Sequence, residues 1–220
     1  MSGMGLRGET EARRLRTLLV ASALTTGALL GAGDVVAQDL AEYDYENLGF
    51  RAIGVEVVWA NAKDAKGAVG FGVRADLGFL GPNVRVVPRF AFWQADIEDE
   101  AVAKVERNLE ALCVPPDCRI ELGELRRDYW IVGLDLQWTM ANRTFTPYLG
   151  AGADLYILND SGEAIDGTFL ADAVVTAGLS GVGGLQFDPG KHLRLYAEVR
   201  GTLVTSASNL AVYAGVAYRF

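Results

Sequence analysis

From Gly49 onward, apolar and polar residues alternate with a period of two, in segments of about ten residues separated by turn signals. A β-strand sends successive side chains to opposite faces, so each segment reads as a strand with one apolar and one mixed face. Such segments lie at about 50-60, 68-80, 84-95, 126-139, 145-157, 168-187, 192-203 and 209-220, eight in all. In the second, Val69, Phe71, Val73, Ala75, Leu77 and Phe79 oppose Gly70, Gly72, Arg74, Asp76 and Gly78. In the seventh, Leu193, Leu195, Ala197 and Val199 oppose Arg194, Tyr196, Glu198 and Arg200. In the eighth, Val212, Ala214, Val216, Tyr218 and Phe220 oppose Tyr213, Gly215, Ala217 and Arg219. Tight turns at Leu80–Asn83, Ala141–Arg143 and Asp188–Lys191 alternate with longer connections at about 96-125 and 158-167, and with short ones at Asn61–Lys66 and Ser206–Ser208. The second connection has Val102, Val105, Leu109 and Leu112 at helical spacing, which predicts a helix over about 98-112.

Alternation alone does not choose the solvent, because a soluble exported ligand-binding β-barrel would alternate as well. The placement of charge does. With the apolar faces turned to lipid, the other faces enclose Glu56, Arg74, Asp76, Arg85, Arg89, Arg127, Asp135, Asp154, Asp172, Arg194, Glu198, Arg200 and Arg219. Such a set is tolerable only if paired or wet; opposite charges about 4 Å apart attract by about 4 kcal/mol at an intermediate dielectric. The expected fold is therefore all-β: an eight-stranded antiparallel up-and-down transmembrane β-barrel with a partly helical external loop. Its lumen is just wide enough to be filled by ion-paired side chains.

The first residues change the picture by implying export. Arg13, Arg14 and Arg16 precede an apolar run from Leu18 to Leu30, then Val35-Val36-Ala37, which reads as a signal peptide over 1-37 cleaved after Ala37. The run falls short of the roughly 20 residues that span a bilayer. Residues 38-48 then form a short periplasmic N-terminal segment and 49-220 the barrel. After residue 48 no long apolar run follows, so any membrane crossing is made by strands. Cys113 and Cys118, the chain's two cysteines, read as a small disulfide loop in an exported protein, with no His or further Cys nearby to complete a metal site. The formal net charge of -8 argues against nucleic acid as a partner.

The closing stretch Ala211–Phe220 resembles the last strand of bacterial outer-membrane barrels, with Phe220, Tyr218, Val216, Ala214 and Val212 at the matching alternate positions. Thr146–Ala153 and Arg194–Arg200 are similar to recurrent strands of the small OmpA/OmpX/OmpW-like families. The resemblance covers about 49-220 and implies an outer-membrane location, an assembly signal in Phe220, Tyr218 and Val216, and contact with the barrel-assembly machinery, lipid and lipopolysaccharide. It implies little about chemistry, since one architecture hosts several tasks. The helical insertion in the second connection departs from the pattern.

Members of such families that act on lipid A resemble one another in a His near the external rim. Here the single histidine, His192, follows the predicted periplasmic turn Asp188–Lys191 and reads as a turn or headgroup-level residue. The enclosed carboxylates have arginine partners that would hold them ionised and inert. Gly67–Gly72 and Gly181–Gly184 lie within strands and precede no helix N-terminus, so they make no phosphate loop. Asp96–Glu124 carries nine acids against Lys104, Arg107 and Arg119, a net of -6, which suits a solvated loop or a surface for divalent cations or an external partner. Asn159–Glu163 lacks the full spacing of a calcium loop. Trp59, Trp93, Trp130 and Trp138, with Tyr156 and Tyr218, read as interfacial girdles, although some could line the lumen. The functional expectation is a monomeric, non-enzymatic, cofactor-free envelope scaffold or interaction platform; the alternative is a narrow channel for ions or small apolar solutes, and the second alternative is a soluble exported ligand-binding β-barrel with its charges outside, which the alternation also permits.

Overall fold

The computed structural model describes residues 47–112, 119–140, 144–168, 173–204 and 208–220. The leader, most of the following segment, Cys113, Cys118, Asp172 and the turn Ala141–Arg143 lie outside them. Strands β1 (Leu48–Ala62), β2 (Ala68–Gly78) and β3 (Val84–Asp96) precede helix α1 (Asp99–Glu110); β4 (Arg126–Thr139), β5 (Phe145–Ser161), β6 (Val174–Phe187), β7 (Leu193–Leu203) and β8 (Asn209–Arg219) follow. Each strand pairs antiparallel with its sequence neighbours, and β8 returns to β1 from Ala52↔Arg219 to Ala62↔Asn209. The sheet is thus a closed up-and-down barrel with no free edge, as lipid demands of backbone that has no water to bond.

The boundaries match the period-2 segments to within two residues except around the third connection, where β5 runs four residues past the expected 157 to Ser161 and β6 differs at its start. That segment reads as continuous from 168; its first described strand residue is Val174, and 169–172 lie outside the described residues. Alternation gives the phase of a strand but not the point where its partner ends. At the β2–β3 turn the Leu80 N–H donates to the Val84 carbonyl at 2.7 Å. Gly81 and Asn83 take φ values of 78° and 63°, the left-handed region that these two residue types tolerate best.

Burial shows which face is which. Val69 and Leu179 are 68% and 70% exposed on the outer wall, while Arg200 and Asp135 are both 0% exposed inside. A soluble β-protein would hide the first pair and wet the second, so the soluble reading is overturned by the orientation of the faces. Aromatic side chains gather on the outer wall at both ends. Phe92 and Trp130 approach to 4.5 Å near the loop-rich end, and Phe145 stacks on Phe187 at 4.5 Å near the turn end, where Trp138, paired with Leu149, is also exposed. Trp93 and Tyr156 depart from the girdle expectation: both are buried, in the lumen, because they share the inward phase of Arg89 and Asp154.

Candidate functional site: the lumen and its external cap

The inward phase of the strands builds a lumen in two zones. Toward the turn end it is ionic. Among the described residues, the buried charged side chains are five arginines (74, 85, 89, 194 and 200) and five carboxylates (Glu56, Asp76, Asp135, Asp154 and Glu198), a neutral set. Arg74 donates to Glu198 at 2.7 Å and lies 3.9 Å from Glu56. Arg200 donates to both oxygens of Asp135, at 2.8 and 2.5 Å, to Ser180 Oγ at 2.9 Å and to Glu198 at 3.0 Å. Arg89 donates to Asp154 at 2.9 Å and to the Tyr213 hydroxyl at 3.1 Å. Arg194 reaches Asp76 at 2.8 Å, and Arg85 reaches Gln137 at 2.6 Å, Gln186 at 2.8 Å and Asp76 at 3.4 Å.

Two residues of the expected set stand apart from this cluster. Arg127 pairs with Asp160 through two bonds at the loop-end rim, and Arg219 donates to Asp188 at 3.0 Å at the turn-end rim, where Arg194 also reaches Asp188. Sequence reasoning missed Gln137, Gln186, Ser180 and Tyr148, which complete the network; Tyr148 donates its hydroxyl hydrogen to Glu198 at 2.8 Å. Their parity was the available signal, since each lies an even number of residues from an inward charge on its own strand or a facing one. Tyr196 belongs here too, with the Arg74 guanidinium 3.2 Å from its ring centroid. Beside these ions a void of about 10 Å³ has room for about one water molecule.

Above the ions the lumen turns apolar. Val58, Ala91, Trp93, Tyr129, Ile131, Tyr156, Leu158 and Ala211 form one buried cluster, in which Trp93 stacks on Tyr129 at 5.4 Å. Tyr213 belongs to both zones.

The second connection caps the loop end. Its helix α1 buries Val102 against Leu122, Leu125 and Ile165, with Ile97, Leu109 and Ile120 packed around them. Four of the loop's acids have partners among the described residues: Glu106 accepts from the Leu122 N–H at 2.8 Å, Glu110 from the Ile120 N–H at 3.1 Å, Asp96 from Arg126 at 3.2 Å and Asp99 from Lys66 at 3.3 Å. The cap is tied to the first connection by Glu98 N–H donating to the Asp64 carbonyl and Lys66 N–H to that of Asp96. The helix is Asp99–Glu110, within the stretch that the spacing predicts.

His192 lies at the turn end, its Nδ1 3.0 Å from the Arg219 carbonyl and its ring stacked on Tyr218. Among the described residues, no group of three His, Cys, Asp or Glu side chains is placed to hold a metal ion. Asp160, from the segment with faint calcium-loop character, is occupied by Arg127.

The family model described as outer membrane protein beta-barrel domain matches residues 21–220. Among solved structures, Ail, the attachment invasion locus protein of Yersinia pestis, is 16% identical with a TM-score of 0.51, over 79% of this chain and 99% of that one. Neisserial surface protein A is 14% identical with a TM-score of 0.52, over 77% of this chain and 97% of that one. No curated protein sequence matches. These structural likenesses speak to the fold, and the family match covers most of the chain. A closed barrel of eight strands with its apolar wall outward, matched along that length, makes this chain a member of the outer membrane protein beta-barrel domain family and a protein of the bacterial outer membrane.

Proposed function

We propose that this protein is a non-conducting, non-catalytic envelope scaffold and interaction platform, whose lumen is a structural plug and whose contacts are made at the external end. The observation that carries the reading is the interlocked neutral lumen. Five arginines and five carboxylates balance in charge across it and are linked by ion pairs, and the void beside them is about 10 Å³. A hydrated ion would have to break several of these pairs to pass, each costing several kcal/mol when one partner is removed. Reconstitution in planar bilayers tests it: a silent membrane at a hundred-fold molar excess over a conducting control is expected, and unitary current steps would overturn the plug and favour a narrow channel.

The external cap carries the platform. Asp96–Glu124 has a net charge of -6, which disfavours polyanionic partners and favours basic ones. Ail has been solved in complex with the heparin analogue sucrose octasulfate; the acidic cap argues for a different partner chemistry here. The aromatic ends of the wall suit a protein seated in lipid and lipopolysaccharide, and Phe220, Tyr218 and Val216 suit the role of assembly signal. A leader over 1-37 and a bridge between Cys113 and Cys118 complete the proposal.

A further inference from the structure

A cavity of about 340 Å³ opens at the external end, between α1 and the rim where β4 meets β5. Val102 and Val105 of α1, Leu122 and Leu125 of the returning segment, and Ile165 of the third connection make an apolar wall. Its polar side is the Arg127–Asp160 pair, whose side chains are 23% and 24% exposed, so guest atoms can reach a donor and an acceptor together. Lys104 and Asp64 also border it, which balances the local charge at zero.

Two observations point to a guest. Val105 follows Val102 by three residues and lines the same cavity, yet Val102 is 8% exposed and Val105 38%. Among the described residues the inner face of the helix is therefore only half covered, and the space beside Val105 is of a size that holds small ligands. The Arg127–Asp160 pair is the second: a bidentate ion pair kept partly open beside an apolar wall supplies the few placed polar groups that fix a ligand's orientation.

We propose that this cavity binds a small uncharged amphipathic molecule, its apolar body against the valine, leucine and isoleucine wall and a hydroxyl or amide head at Arg127 and Asp160. An anionic head would meet Asp160 and Asp64, and a cationic one Arg127 and Lys104. A pure hydrocarbon would displace water from the exposed part of the ion pair and return no hydrogen bond to it. The site lies on the external cap, above the apolar zone of the lumen, and does not depend on whether the lumen conducts.

The test uses the full chain in phospholipid nanodiscs, titrated with 4-phenylbutanamide and observed by methyl NMR. Saturable shifts at Val102, Val105 and Ile165 are expected, with 4-phenylbutyrate, the same body with an anionic head, binding at least tenfold more weakly. Val105→Trp and Ile165→Trp add bulk at two residues that line the cavity, and each should weaken the amide at least tenfold, whereas Leu155→Ala on the lipid-facing wall should not. Non-saturating shifts, equal affinity for the two heads, or binding that survives both tryptophan variants would each overturn the proposal and indicate partition into the bilayer. The comparison of heads needs no substitution and keeps its meaning if a variant disturbs the cap.

Discussion

Arg200 offers the sharpest test of the lumen. It is fully buried and donates to both oxygens of Asp135, to Ser180 and to Glu198. Arg200→Met keeps the length of the side chain and removes the charge. Glu198 then retains Arg74 at 2.7 Å and Tyr148 at 2.8 Å, so the damage falls on Asp135. That carboxylate is also fully buried, and its other side-chain partner, Gln137, is at a long 3.4 Å. A pair of opposite charges about 4 Å apart at an effective dielectric near 20 is worth about 4 kcal/mol, which agrees with the roughly 3–5 kcal/mol lost when one member of a buried pair is removed. Reversible urea unfolding in phospholipid vesicles, followed by tryptophan fluorescence and by gel migration with and without boiling, should show a loss in that range. Arg200→Met with Asp135→Leu removes both ions, so the double variant should lie closer to the wild type than Arg200→Met alone. A single-variant loss under about 1 kcal/mol, or a double variant at the sum of the two singles, would refute the reasoning.

Val199→Arg places a cation mid-strand on the lipid face and should cost about 2–4 kcal/mol by the same unfolding assay, whereas Leu112→Arg, on the 82% exposed tip after α1, should change stability by less than about 0.5 kcal/mol. Gly70→Ala would set its Cβ 2.1 Å from the Phe92 carbonyl oxygen and 2.6 Å from the Trp93 Cβ, an overpacking worth about 1–3 kcal/mol; Gly181→Ala meets no atom within 4 Å and should be neutral or slightly stabilising. Peptide mass spectrometry after non-reducing alkylation should find Cys113 and Cys118 joined, and reduction should lower stability by about 2 kcal/mol or less, as befits so small a loop.

Much of the barrel was legible from one signal. A period of two fixes both the strand and its wet or greasy side, so the inward charges could be named before any strand was paired. What could not be read was which arginine meets which acid. Arg74 and Glu198, or Arg200 and Asp135, lie on strands that are not neighbours, so their meeting depends on curvature and stagger that no local pattern records. Trp93 escaped for a related reason: its type suggests an interfacial ring, while its parity, shared with Arg89, places it inside. The pairing of α1 with Ile165 was invisible because two loops distant in the chain form that cluster.

The ion pairs across the lumen have a consequence for how the protein reaches its native state. Arg74–Glu198, Arg194–Asp76, Arg200–Asp135 and Arg89–Asp154 join residues 124, 118, 65 and 65 positions apart. A half-made sheet of three or four strands can zip its backbone hairpin by hairpin and bring Arg74 near Glu56 and Arg85 near Asp76, yet the four shorter pairs wait for strands that arrive later. Dehydrating them earlier would be costly, so the inner surface should stay wet until the first and last strands meet. Insertion, ion mating and expulsion of water would then coincide in one late, highly cooperative event, with few stable way-stations before it.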